Sequence, residues 1–161
     1  MKQIFILSVF LFLGLCSQTA HACSCGPPPS KEQQQKALDA PVDPTLKEFW
    51  AEQFNGVVFI GTVIKIEKIT VKEFDEPRRI KKVTVDVDRA WVGETGETFV
   101  IYTSLGKGGD CGVPYAKGQK YFFRAEVIGG RHWTNICSPW DPDTYLVKIF
   151  DKMFEQKPRP Q

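Results

Sequence analysis

Cys23 and Cys25 stand one residue apart, and the next cysteines, Cys111 and Cys137, lie far down the chain. A Cys-x-Cys ring is strained beyond ordinary disulfide geometry, so the two N-terminal cysteines do not pair with each other. Both must reach forward, one to Cys111 and one to Cys137. Either arrangement closes loops near 100 residues, and each bridge stabilises by up to about 4–5 kcal/mol in the chain-entropy account. A chain stapled in this way must fold its N-terminus back against segments from its far half. A thiolate metal site is the competing use of four cysteines. It is disfavoured because C-x₂-C pairs are absent and the lone downstream histidine, His132, follows no ligand spacing.

Disulfides imply an oxidising compartment, and the N-terminus supplies the route to one. Met1-Lys2 gives a positive charge, and Ile4 to Leu15 is an apolar run broken only by Ser8 and Gly14. Ala20-His21-Ala22 then places small residues at −3 and −1 of a cut before Cys23. This is the layout of a secretory signal peptide over residues 1–22, with Cys16 inside the removed segment. The run is too short to span a membrane, which takes roughly 20 residues. The expected protein is secreted, extracellular or periplasmic. A cysteine after the cut raises lipidation, but the bacterial pattern wants an aliphatic residue where Ala20 stands. Ordinary cleavage with a free Cys23 is therefore expected, and a membrane association only if Cys23 is lipidated.

Cleavage leaves 139 residues with 20 Lys/Arg and 19 Asp/Glu. That length suits one domain, placed at 23–154 with a polar tail at 155–161. The near-neutral balance argues against nucleic-acid binding, which wants a basic face.

Gly26-Pro27-Pro28-Pro29 is expected to be a stiff, non-helical lead, because three rings fix φ and remove three donors. Ser30 with Gln33 forms a capping-box pattern for a polar helix over Lys31–Asp39. Asp43-Pro44 predicts a second helix start, with Leu46, Phe49, Trp50 and Phe54 on one face and Asn55-Gly56 as its stop. Val57–Glu67 then reads as a strand crossed by Gly61, a bulge or corner signal. Ile69–Arg79, charged and containing Pro77, reads as a connection or irregular edge. Val83, Val85 and Val87 alternate with Thr84, Asp86 and Asp88 on a half-buried strand. Thr98–Ser104 is a third strand, followed by a glycine-rich loop at 106–110. Lys120–Ile128 and Arg131–Cys137 flank Gly129-Gly130 as a hairpin. Asp143 is expected to cap a last helix with Leu146, Phe150 and Met153 on one stripe. Five short strands with helices at the ends predict a mainly β fold, a five-stranded closed β-barrel of the oligomer-binding (OB) type, stapled by disulfides.

Cys23-Ser24-Cys25 followed by Pro27, and Val58-Phe59-Ile60-Gly61-Thr62-Val63, resemble the netrin-like module of the tissue inhibitors of metalloproteinases. Cys111-Gly112 with Gly118-Gln119-Lys120-Tyr121, and Trp133-Thr134-Asn135-Ile136-Cys137 with Pro139-Trp140, continue the similarity across Cys23 to Trp140. The resemblance implies the OB-type barrel and the pairs Cys23–Cys111 and Cys25–Cys137. It also implies a partner, a zinc metalloprotease whose catalytic zinc is chelated by the amine and carbonyl of Cys23. Ser24 would enter the protease's primary specificity pocket, and Pro27 would extend the wedge. Thr103, Ser104 and Leu105 would rim it. A third disulfide and a second disulfide-rich domain, present in the animal inhibitors, are absent here. Gly26 stands where the wedge carries a side chain.

The sequence offers little to an enzyme. One mature histidine, no H-E-x-x-H and no G-x-S-x-G leave no hydrolase constellation. Asp86 and Asp88 read as a solvated strand face, Phe122-Phe123 and Trp50 as core, and His132 as an exposed or interstrand residue. No cofactor is called for, and a monomer is expected. The alternative to an inhibitor is a netrin-like structural or interaction module of the cell envelope or extracellular space, without a protease target.

Overall fold

The computed structural model describes residues 25–72, 77–106, 110–138 and 141–154. The expected signal segment, Cys23, Ser24, Pro139-Trp140 and the tail at 155–161 lie outside the described residues. The fold is mainly β, with five strands and flanking helices. The strands are β1 (Gly56–Val71), β2 (Arg78–Val92), β3 (Thr98–Ser104), β4 (Lys120–Ile128) and β5 (Arg131–Trp133). Helices α1 (Lys31–Asp39) and α2 (Pro44–Glu48) precede them, and α3 (Tyr145–Met153) follows.

The strands pair in a ring, in the order β1-β2-β3-β5-β4, with β4 returning to β1. All pairings are antiparallel except β3 with β5, which touch through one parallel pair, Tyr102 with Trp133. Strand β1 pairs with β4 from Gly56 to Thr62 and with β2 from Val58 to Val71, and its register with β2 shifts at Val58/Phe59, at Ile60/Gly61 and at Val63/Lys65. Gly61 sits at the second of these shifts. A Cβ there would collide with the Asp86 carbonyl across the strand pair, a close approach that only glycine tolerates.

Period-two alternation sorts side chains onto the two faces of the sheet. Val57, Phe59, Val63, Val83, Val85, Val87, Ile101, Phe123 and Ala125 form one cluster inside the ring. Val58, Ile60, Trp91, Val92 and Phe122 form a second on the outer face, beneath Phe150 and Met153 of α3. Consecutive Phe122 and Phe123 thus fill different cores. Trp91 Nε1 donates to Asp151 Oδ1 at 2.9 Å, and Arg89 meets the same carboxylate at 3.2 Å, which pins α3 to β2. Lys152 Nζ donates to the Leu38 and Ala40 carbonyls, tying α3 to the end of α1.

Several expectations change. The capping box at Ser30 and Gln33 opens α1 as read, but the stripe from Leu46 to Phe54 does not stay on one face. After Glu48 the chain winds into a π-helical turn, Phe49–Gln53, with Phe54 N donating to Phe49 O. The wider turn rotates the stripe. Trp50 and Phe54 pack on the outer cluster, while Leu46 and Phe49 stay 44% and 41% exposed. The Ile69–Arg79 connection is shorter than expected: Ile69 pairs with Ile80 and Val71 with Arg78, so both strands run further out. Strand β5 stops at Trp133 rather than Cys137: Thr134 N still donates to Tyr102 O of β3, and the chain then enters the turn described below. Asp143 does not cap α3. Thr144 occupies that position without a side-chain cap bond, and Asp143 N donates to Asp141 Oδ1 instead.

Tyr115, not singled out in the sequence, is buried inside the ring against Tyr121 and Phe123. Burial pushes its phenol above the usual value near 10, since the charged form is desolvated. The protonated form is favoured in the folded state, so this contribution is complete below pH 10 and is lost as pH rises beyond it. The difference in stability between wild type and Tyr115→Phe should therefore shrink above about pH 10. Urea unfolding from pH 8 to 11 measures it. A difference independent of pH would contradict the assignment.

Candidate functional site

Of the four cysteines from Cys23 onward, three meet at one end of the ring. Cys25 is joined to Cys137 by a disulfide with Cα atoms 5.2 Å apart, as the resemblance implied. Cys111 is disulfide-bonded as well. Its expected partner, Cys23, lies outside the described residues.

Local chemistry builds the support for this end. Cys111 adopts φ +57°, the left-handed region that a non-glycine residue occupies at a cost. Asp110 holds the strained corner by accepting two backbone amides on Oδ1, from Gly106 at 2.8 Å and from Gly112 at 3.1 Å. Gly112 lies against the end of β3 so closely that a Cβ would strike the Ser104 carbonyl and the Gly106 amide. Across from it, Ile136 N donates to Cys111 O at 2.9 Å, and Cys137 N donates to Asn135 Oδ1 at 2.9 Å. The Cys111 corner and the Cys137 turn are therefore joined by a main-chain bond, each is braced within itself by Asx-type bonds, and the bridge hangs Cys25 from that unit. Thr134 N still donates to Tyr102 O of β3 at 2.9 Å, and beyond it these turn bonds replace strand pairing.

Of the residues expected to form a contact edge, Cys25 and Pro27 are exposed. Ser24 and Cys23 are not among the described residues. Ser104 and Leu105 are partly exposed beside the Cys111 corner. Thr103 is not at the rim: it is 0% exposed, and its hydroxyl accepts from Val113 N at 3.1 Å inside the fold. Strand alternation explains the correction, because Ile101 and Thr103 share the inward face while Ser104 turns outward. The glycine-rich loop expected at 106–110 falls partly outside the described residues.

Asp110, Asn135 and Lys81, whose Nζ donates to Val113 O at 3.1 Å, were not singled out by sequence reasoning. Asp-Cys-Gly and Asn-Ile-Cys are both short polar turns next to a cysteine, and Asx chemistry is the signal that could have found the first two. His132 lies apart from this end, edge-on to Phe99, with burial holding its pKa below the usual imidazole value. Asp88 pairs with Lys120 at 3.0 Å. Among the described residues no group of three or more His, Cys, Asp or Glu is placed to hold a metal ion. Nor is any helix among them long and apolar enough to cross a membrane.

No model of a known protein family matches this chain, and no curated protein sequence matches it significantly.

Proposed function

We propose that the strand ring is a small closed β-barrel of the oligomer-binding type in a netrin-like arrangement, and that the exported protein inhibits zinc metalloproteases through its Cys23 terminus. The barrel reading is supported by the strand order, in which every strand has two neighbours, and by the bulged corner at Gly61. The functional reading rests on one observation: the bridge from Cys25 to Cys137 fixes the N-terminal segment to the end of the ring beside Cys111. A terminus two residues upstream lies within roughly 7 Å of Cys25 along the chain. A second bridge, from Cys23 to Cys111, would hold it from the other side.

A terminus held in this way loses little conformational entropy on docking. An α-amine with a pKa near 7.7–8.0 gives up its proton readily to a metal. The amine and carbonyl of Cys23 would form a five-membered chelate, take the open coordination position of a catalytic zinc and displace the water that attacks the substrate. Ser24 and Pro27 would continue the contact, with Ser104 and Leu105 as its rim. The second reading, an interaction module with no protease target, is favoured by the inward turn of Thr103, which thins that rim.

The mature N-terminus tests the mechanism before any target is known. Intact mass and N-terminal sequencing of the exported protein should give a free Cys23, and a peptide map should link Cys23 to Cys111. An acylated Cys23, a cut elsewhere, or a Cys23–Cys137 peptide would rule the chelation mechanism out.

A further inference from the structure

Strands β1 and β2 run past the rest of the ring. Strand β4 accompanies β1 only as far as Thr62, whereas β2 pairs with it to Val71. At Val63 the far side of β1 is still occupied: its N–H donates to Gln119 O at 2.9 Å, and its carbonyl accepts from Gly118 N at 2.7 Å. From Lys65 to Val71 that side has no strand neighbour among the described residues.

The register says which groups face the open side. Val87 N donates to Glu97 O, just ahead of β3. Main-chain direction alternates along a strand, so Val85 and Val83 face β3 as well, and Thr84, Lys82 and Ile80 face β1. Their partners Lys65, Glu67 and Ile69 therefore bond to β2. Ile66, Lys68 and Thr70 turn their N–H and C=O groups outward, with no hydrogen bond there to a described residue.

The side chains of Ile66, Lys68 and Thr70 share one face, on which Lys81 stands across from Lys68 and Arg79 across from Thr70. Lys81 is engaged with the Val113 carbonyl and is left out of the count. Lys68, Lys72 and Arg79 are exposed, and their side chains make no ion pair or hydrogen bond with a described residue. Lysines on an open edge repel a second copy of the same edge. A strand of opposite charge meets no such barrier: it completes the main-chain bonds and sets carboxylates beside the uncommitted cations.

We propose that β1 accepts an extended acidic segment of a partner protein as an added strand, through the outward main-chain groups of Ile66, Lys68 and Thr70. The segment carries Asp or Glu at alternate positions, one opposite Lys68 and one opposite Thr70, whose short side chain separates it from Arg79. The proposal goes beyond the inhibitory reading and holds whether or not Cys23 meets a metal.

The test is an NMR titration of the isotope-labelled mature protein with acetyl-Val-Glu-Val-Glu-Val-amide, its glutamine twin, and the acidic peptide N-methylated at both glutamates. At saturation the acidic peptide should slow hydrogen exchange at the Ile66, Lys68 and Thr70 amides and leave Glu67 and Ile69, already bonded to β2, little changed. It should bind roughly fivefold more tightly than the glutamine twin, as a few exposed ion pairs allow. Raising the salt to about 0.5 M should erode that margin. Methylation removes the N–H groups that would face β1, so it should weaken binding by roughly tenfold or more. Lys68→Gln should reduce the preference for acid. Thr70→Pro, which removes an outward N–H and no bond to β2, should weaken both parent peptides, with thermal midpoints reporting whether each variant is folded. Equal affinity for the two parent peptides would overturn the proposal, as would undiminished binding of the methylated one or of both peptides to folded Thr70→Pro. A sulfated disaccharide binding as tightly as the acidic peptide would overturn the assignment to a partner strand. The peptide comparison on wild-type protein decides the matter even if a variant fails to fold.

Discussion

Replacing Cys25 and Cys137 together by serine is expected to cost the domain about 3–5 kcal/mol of stability. The bridge spans 112 residues, and alone it would remove close to 5 kcal/mol of chain entropy from the unfolded state. With the proposed Cys23–Cys111 bridge in place, the shortest path between the two sulfurs falls to roughly 28 residues, and the contribution to about 3.5 kcal/mol. Against the 5–15 kcal/mol typical of a domain this is a large share. The urea midpoint followed by tryptophan fluorescence should fall accordingly, because Trp91 and Trp50 report on the outer core. Residues 25–30 are exposed throughout, and Pro29 is held by one side-chain bond, from Gln34 Nε2 at 2.9 Å. Loss of the bridge should therefore release this segment first and leave the ring folded in the absence of denaturant. An unchanged midpoint would mean that the loop was already closed by other contacts.

The parts of this fold that local chemistry determines were legible in the sequence. Ser30 and Gln33 specify a cap within four residues, Gly129-Gly130 specifies a hairpin, and alternating valines specify a half-buried strand. All three appear where they were expected. Predictions failed where a tertiary constraint overrode a local pattern. The Leu46–Phe54 stripe is helical in period, yet the chain inserts a π-helical turn that sets Trp50 and Phe54 against α3 and leaves Leu46 and Phe49 in water. Arg131–Cys137 looks like a strand to its end, but beyond Thr134 hydrogen bonds to Cys111 and Asn135 claim the backbone.

The candidate site was legible only in part. The paired N-terminal cysteines announced that distant segments must converge, and the residues quoted for the resemblance proposed which ones. The supports were visible only as short Asx-type turns beside the cysteines, without the contacts they make. Asp110 matters because Gly106 and Gly112 come together, a contact that no spacing rule encodes. The resemblance placed Thr103 on the rim with Ser104 and Leu105, but the register turns it inward.

The largest functional effect is expected from one residue added at the terminus. If Cys23 chelates the metal, placing a single Ala before it converts the amine into an amide and pushes new atoms into the space the zinc must occupy. Both disulfides and the ring should be untouched, so the thermal midpoint should match that of the unextended protein. Against a protease that the mature protein inhibits, the extension should weaken inhibition by roughly 100-fold or more, about 2.8 kcal/mol. Inhibition by the unextended form should strengthen as pH rises through 7–8, where the amine loses its proton. The decisive measurement is therefore the ratio of inhibition constants for the mature and Ala-extended proteins, across a panel of zinc metalloproteases and with equal folding verified. The chelation account predicts a ratio of about 100 or more wherever inhibition occurs; equal constants, or no inhibition of any member by the free-Cys23 form, would contradict it.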